Sequence, residues 1–396
     1  MSSPSIAACA AAVNHPWLAV VAVGLATFSV VTTEMLPVGL LTTIAQTLDT
    51  PTGTAGLMIS LPALLAAFFA PLVLIAAGNM DRRWMLCGLL GLLVVANIAS
   101  ALATSMAWML AARMLVGFCM GGIWAIAGGL AARLVPGQSI GLATSIIFGG
   151  VAAASVLGVP LGALIGDFAG WRWAFGSMAI LSALVLVIHL AVIPGLPVHS
   201  SVAVRQFTEQ FANRRLQAGL VLTLLLVAGH FMAFTFVRPL LLSVSGFEAQ
   251  WISALLVAYG IAGIFGNFLA GMIAARHTAL TLMAIALGLL LTPVLFLTIG
   301  SSPMGGGVVL LAWGLAYGGV SVSLMTWMMK AAPDAVEIVS ALYVGVFNIG
   351  ISLGSWAGGH TVDSLGLTTN LWLAGGMAAL ALLLTFLYWR VATRDL

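Results

Sequence analysis

Four ionisable side chains interrupt long apolar runs in this chain: Glu34, Arg113, His230 and Arg238. A charge at the centre of a bilayer costs about 3 kcal/mol even on insertion scales, so such residues mark proton or solute pathways. A carboxyl such as Glu34 can take a proton in oil and release it once water arrives, which is the chemistry of proton coupling. Arginine does not usefully lose its proton, so Arg113 serves to steady that carboxylate or to anchor its helix. His230 is either a packing residue or a relay lining a cavity. Arg238, just before Pro239, has three open readings: a partner for Glu34, a contact for an anionic or oxygen-rich solute, or a side chain snorkelling to the headgroups.

Depth supports the pairing of the first two. Glu34 lies about seven residues, roughly 10 Å, beneath the outer end of its run, and Arg113 lies about six residues, roughly 9 Å, beneath the same face. Arg113, Gly117, Met120 and Trp124 share one helical face, offering a charge, a notch for close approach and an aromatic platform. Pro37 lacks a backbone donor and is expected to loosen the helix beyond the acid. Thr27, Tyr259, Asn267, Trp327 and Asn348 are further candidates for solute contact, each equally able to join helices by a hydrogen bond. Asn97 and His189 read as structural. So do Asp167 and Asp363, at outer helix ends and satisfied by water and nearby Arg172.

The elements that position these groups must be membrane helices. The 396 residues are 62% hydrophobic and 6% charged, against about 25% charged in a soluble domain. Crossing about 30 Å of hydrocarbon takes about 20 helical residues. Runs of that kind fall at 17–41, 54–77, 84–104, 107–131, 141–165, 173–193, 216–243, 250–274, 279–299, 305–329, 338–362 and 370–390. This predicts an all-α membrane protein of twelve transmembrane helices in two pseudo-symmetric six-helix bundles, 1–193 and 216–396, joined by a cytoplasmic linker over 194–215.

Charge fixes the expected orientation. Arg82, Arg83, Arg133, Arg205, Arg214, Arg215, Arg276, Lys330, Arg390 and Arg394 fall in even-numbered connections or the C-terminal tail, and only Arg172 in an odd one. Positive connections face the cytoplasm, which places both termini there. The net charge of +3 then needs no nucleic-acid partner.

An internal repeat links the halves. Shifting the sequence by 196 sets Gly149 on Gly345, Gly158 on Gly354, Gly162 on Gly358, Asp167 on Asp363 and Gly170 on Gly366. The same shift sets Glu34 on His230. Parallel repeats of this kind hold their solute between the halves near the midplane. Cys9, Cys87 and Cys119 are isolated and read as spectator thiols. No zinc-protease, hydrolase or nucleotide-binding signature is present, so an enzyme or receptor reading has no motif behind it and ATP energy would need another subunit.

Particular motifs carry a resemblance. Gly78-Asn79-Met80-Asp81-Arg82-Arg83 resembles a degraded signature loop of the major facilitator superfamily, and Arg113-Met-Leu-Val-Gly117 resembles its span-4 proton motif. Gly158-Val-Pro160-Leu-Gly162 is similar to the span-5 antiporter motif, with Val-Pro in place of Gly-Pro. Gly170-Trp171-Arg172-Trp173-Ala-Phe175 is similar to the entry to span 6. Thr33 to Leu41, Gly121 to Ala125 and Phe236-Val-Arg238-Pro239 look like the bacterial sugar-efflux and purine-ribonucleoside-efflux branch of the drug:proton antiporters.

The resemblance implies a bacterial inner-membrane exporter, a proton gradient in place of any cofactor, and no metal or obligate protein partner. It implies proton coupling at Glu34, with Arg113 and His230 beside it, and gating through Asp81, Arg82, Arg83, Gly158, Pro160 and Gly162. The solute would be a nucleoside, a sugar or a drug-like compound, bound near Glu34, Thr27, Trp124, His230, Arg238, Tyr259, Asn267, Trp327 and Asn348. A proton-independent uniporter or an uptake symporter of the same fold is the alternative.

Overall fold

The computed structural model describes residues 15–76, 80–136, 139–197 and 212–394, and every regular element among them is helical. Span 1 is Pro16–Thr47. Span 2 is Leu57–Ala76 behind a short turn, Thr52–Ala55. Spans 3 and 4 are Arg82–Ala101 and Met106–Leu134. Span 5 joins Ile140–Ala153 to Val159–Ala169 through a π-helical turn, Ala154–Gly158, and span 6 is Trp171–Val192. Span 7 is Arg214–Phe234 followed by Val237–Ser243. Span 10 is Pro303–Gly318 followed by Val320–Ala331.

The remaining four spans lie in two long helices. Ile252–Leu297 has 46 residues, roughly 70 Å if straight, more than twice the hydrocarbon thickness. It breaks at His277, whose φ/ψ of −126/56 is not helical, giving spans 8 and 9. Val336–Arg394 breaks at Gly366, with φ 84, giving spans 11 and 12. Ten described helices are therefore long and apolar enough to cross a membrane, and two of them are doubled. The protein is a multi-pass, all-helical membrane protein.

Proline and glycine set the internal breaks. Pro239 cannot donate to the Thr235 carbonyl, and span 7 opens at Thr235 and Phe236. Pro160 removes a donor just past the π turn of span 5. Gly170 and Gly366, which the repeat superposes, both adopt positive φ, 91 and 84. Only glycine reaches that region without strain, so both halves turn a corner with the same residue.

The repeat is also visible in the packing. Thr32, Leu36 and Leu40 of span 1 form a ridge seated on Gly158, Gly162 and Gly166 of span 5, where an added Cβ would collide with each. Spans 7 and 11 repeat the arrangement, with Ala228 against Gly354 and Met232 against Gly358. Small residues at four-residue spacing let the backbones approach this closely. One hydrophobic cluster lies within spans 1–6. A second is built mainly from spans 7–12 but takes in Val38, Ile59, Val159 and Ala163, so the halves share apolar contact.

Two expectations need correction. Pro37 does not loosen span 1, which continues helical to Thr47, for a reason given below. Spans 8 and 9 have no connecting loop, only the break at His277. Cys9, Gly78, Asn79 and Arg205 lie outside the described residues.

Candidate functional site

Glu34 and Arg113 meet, but not as an ion pair. Arg113 is fully buried, and its Nε donates to Met58 O at 3.0 Å, Nη1 to Thr33 O at 2.7 Å and Nη2 to Glu34 O at 2.7 Å. All three acceptors are peptide carbonyls. Thr33 O is the carbonyl that Pro37, four residues on, leaves without its helical donor. Arg113 supplies that donor, and span 1 stays helical through its proline. The Glu34 side chain is 1% exposed, and its Oε1 makes no hydrogen bond among the described residues.

Around this acid, spans 1, 3 and 6 are tied by small polar groups. Ser29 and Ser182 share a 2.9 Å hydrogen bond, and Asn97 Nδ2 donates to Thr33 Oγ1 at 3.1 Å. Thr27 Oγ1 sits 2.8 Å from Gly24 O and 2.7 Å from Ile147 O. Its hydroxyl joins span 1 to span 5. Gly117 and Gly121 approach Pro62 and Ala66 of span 2, so the notch in span 4 holds a helix and not a ligand. Trp124 is half-buried against the cluster of the first six spans.

The second half holds aromatic rings where the first holds the acid. His230 stacks on Tyr317 (centroids 3.3 Å, interplanar 10°) and on Phe234 (4.9 Å, 21°). Phe234 stacks in turn on Tyr259 at 4.8 Å. Trp313 Nε1 donates to His230 Nδ1 at 3.2 Å, and the Tyr259 hydroxyl is 3.5 Å from Nε2. An indole N–H can only donate, so Nδ1 accepts and the imidazole is neutral. His230 thus belongs to an aromatic wall, and its geometry gives no support to a relay role. Met35, the residue after Glu34, packs against the same hydrophobic cluster as Phe234, Tyr259 and Tyr317, which brings the wall and this stretch of span 1 to one shared core. Phe234, Trp313 and Tyr317 are the members that the sequence reading missed.

Of the other candidates, Asn267 and Trp327 separate from this region. Asn348 Nδ2 donates to Val344 O of its own helix, and its Oδ1 is buried without a partner. Asn267 is exposed beside exposed Phe265 and Phe268. Trp327 Nε1 donates to Arg215 O at 2.9 Å, at the arginine-rich end of the molecule, so Trp327 is not part of the aromatic wall.

At the opposite, arginine-poor end, the halves are clamped. Arg238 pairs with Asp167 at 2.8 Å and also donates to Gly39 O and Thr42 Oγ1. That replaces all three expected readings of Arg238, and it replaces Arg172 as the partner of Asp167. Arg172 instead donates to Ala103 O. Asp363, the repeat counterpart of Asp167, accepts from the backbone N–H groups of Gly53 and Thr54 at 2.7 and 2.9 Å, capping the short turn before span 2. Phe236, at the break in span 7, packs on Gly56 across the same boundary.

The signature-loop residues act within one half. Asp81 caps span 3 through Arg83 N and also accepts from Leu196 N. Arg83 donates to Leu190 O and Arg133 to Pro197 O, while Arg82 is buried with Nη1 on Met85 Sδ. Together they grip the end of span 6.

Comparison with known proteins places this geometry in context. The family model described as Major Facilitator Superfamily matches residues 23–354. The chain is 30% identical over 367 residues to the purine ribonucleoside efflux pump NepI of Salmonella typhimurium, covering 93% of this chain and 92% of that one. It is 34% identical over 376 residues to the uncharacterized MFS-type transporter YtbD of Bacillus subtilis, covering 93% and 94%. Among solved structures, a bacterial homolog of the human lysosomal transporter Spinster matches with TM-score 0.79 at 16% identity over 96% of this chain and 98% of that one. The nucleoside transporter NupG matches with TM-score 0.73 at 17% identity over 92% and 99%. These last two speak to the fold alone.

Proposed function

The chain belongs to the major facilitator superfamily, and from that premise we propose that it exports a purine ribonucleoside or a close relative in exchange for protons. The observation that carries the reading is the juxtaposition of a buried acid with an unpartnered Oε1, Glu34, and a stacked aromatic wall on the facing half. Glu34 is the proton carrier. Tyr259 and Tyr317, the two ends of the stack built on His230 and Phe234, offer flat faces to a base, and base–aromatic stacking is worth about 1–3 kcal/mol per base. The relative that pumps purine ribonucleosides supports that choice of solute.

Arg113 is a positioning residue here. It fixes the backbone on which Glu34 stands and leaves the carboxyl free to gain and lose its proton. The Arg238–Asp167 pair and the Asp363 cap hold the arginine-poor end shut in this conformation, and opening requires them to part. With basic connections in the cytoplasm, that end faces outward and both termini face inward, in a bacterial inner membrane. A proton returning down the gradient supplies about 2.3 kcal/mol per 100 mV and about 1.36 kcal/mol per pH unit, enough to concentrate the solute roughly a hundredfold.

Proteoliposomes test this directly. An inside-acid gradient should drive nucleoside accumulation in the lumen, and a pH electrode should register proton release when nucleoside is added. Glu34→Gln should lose accumulation yet keep exchange of labelled for unlabelled nucleoside. Accumulation driven instead by an outside-acid gradient would make the protein a symporter. Transport indifferent to the gradient would make it a uniporter.

A further inference from the structure

We propose that the chain binds the headgroup of an anionic phospholipid in a basic crevice at the arginine-rich end, between spans 7, 9, 10 and 12. The crevice has a volume of about 330 Å³, and Arg215, Arg276, His277 and Lys330 line it with no aspartate or glutamate among them. Arg215 and Arg276 are exposed, and their guanidinium groups make no hydrogen bond or ion pair among the described residues. Lys330 is differently placed. Its Nζ donates to Ala275 O and Thr278 Oγ1, both at 2.8 Å, fixing a positive charge at the break between spans 8 and 9.

The walls are braced. Trp327 Nε1 donates to Arg215 O at 2.9 Å, the Tyr388 hydroxyl donates to Arg214 O at 2.8 Å, and the two rings meet edge to face at 5.8 Å. The first turn of span 7 is thereby held to spans 10 and 12, and the two free guanidinium groups rise from a fixed base. Paired arginines over such a base recognise phosphate oxygens.

The surroundings select a lipid over a free anion. Trp389 and Leu280 line the same crevice and are 37% and 46% exposed. Exposed leucines continue from Leu280 along the same face of span 9, at Leu287 and Leu291. Gly375 of span 12 backs onto Pro293 of span 9, so the two helices are neighbours below the crevice. A ligand with a phosphate at one end and acyl chains at the other complements the whole surface, whereas inorganic phosphate complements only its head. Basic pockets between membrane helices, rimmed by tryptophan and tyrosine, suit anionic headgroups on general electrostatic grounds. The inference does not depend on which solute is carried.

Native mass spectrometry of the full chain in detergent tests it, with phosphatidylglycerol compared against phosphatidylcholine of the same acyl chains. The wild type should retain phosphatidylglycerol at about tenfold lower lipid concentration. Arg215→Gln with Arg276→Gln should erase that preference, and Arg215→Lys with Arg276→Lys should keep most of it. Should the double glutamine variant fail to fold, Arg276→Gln alone, a change at an exposed unpaired side chain, should reduce the preference in the same direction. Equal retention of the two lipids, or an undiminished preference in the folded glutamine variant, overturns the proposal. Displacement of phosphatidylglycerol by millimolar inorganic phosphate also overturns it, since the crevice would then be a free-anion site.

Discussion

Arg113 holds Glu34 by its peptide carbonyl, at 2.7 Å, and not by its carboxylate. A direct ion pair would keep the acid charged and bind the two helices through it. Binding to the backbone separates those tasks: the helices stay joined whichever protonation state the carboxyl adopts.

This arrangement predicts a coupling between Arg113 and Pro37. Arg113→Met strips the buried Thr33 and Met58 carbonyls, each four residues before a proline, of their donor and should lower stability by about 1–3 kcal/mol, seen as a fall in melting temperature in detergent. Pro37→Ala restores an N–H for Thr33 O. The double variant should therefore lose less than the sum of the two single changes. Strict additivity would mean that the arginine is not compensating for the proline.

The glycine groove gives a second contrast. Gly158→Ala and Gly162→Ala push a methyl into Thr32 and Leu36, while Gly354→Ala pushes one into Ala228. Each should destabilise by about 1–3 kcal/mol. Gly149 and Gly345 have nothing within 4 Å of an added Cβ, so alanine there should be neutral or stabilising by up to about 1 kcal/mol. Thermal melting of the five variants checks both halves of the prediction together.

The clamp at the arginine-poor end should control exposure. Asp167→Asn with Asp363→Asn removes one ion pair and one helix cap, shifting the population toward forms open at that end. In a cysteine-free background carrying Thr54→Cys, an impermeant thiol reagent applied to that face should label the clamp variant several-fold faster, if the clamp contributes about 1 kcal/mol. Unchanged labelling would show that apolar packing around Phe236 closes this end by itself.

The aromatic wall should set affinity more than turnover. Tyr317→Ala removes the ring stacked on His230 and should weaken nucleoside binding by about 1–3 kcal/mol, read as a rise in KM. Tyr317→Phe keeps the face and should restore most of the affinity.

Much of the architecture was written in local chemistry. Apolar length gave the spans, and the repeat of glycines gave the correspondence of Gly158 with Gly354 that the packing reproduces. Glu34 stood out because an acid in oil is rare. What stayed hidden was pairing. Nothing along the chain tells Arg113 to prefer a carbonyl freed by Pro37 over a carboxylate one residue away from Thr33, since both lie at the same depth. Phe234, Trp313 and Tyr317 were concealed for the opposite reason: in a chain with 18 phenylalanines and 12 tryptophans, a functional ring looks like any other apolar residue. Arg238 and Asp167 sit on different halves, 71 positions apart, and only the closed assembly brings them together.

Arg238 and Thr42 are repeat counterparts, separated by the same 196 positions, and they touch. Where a residue meets its own equivalent, the contact lies on the twofold axis relating the halves. A homodimer must set like against like there, and two arginines facing each other would repel. A single polypeptide escapes that constraint, because donor and acceptor can be chosen separately for the two sides of one axial contact.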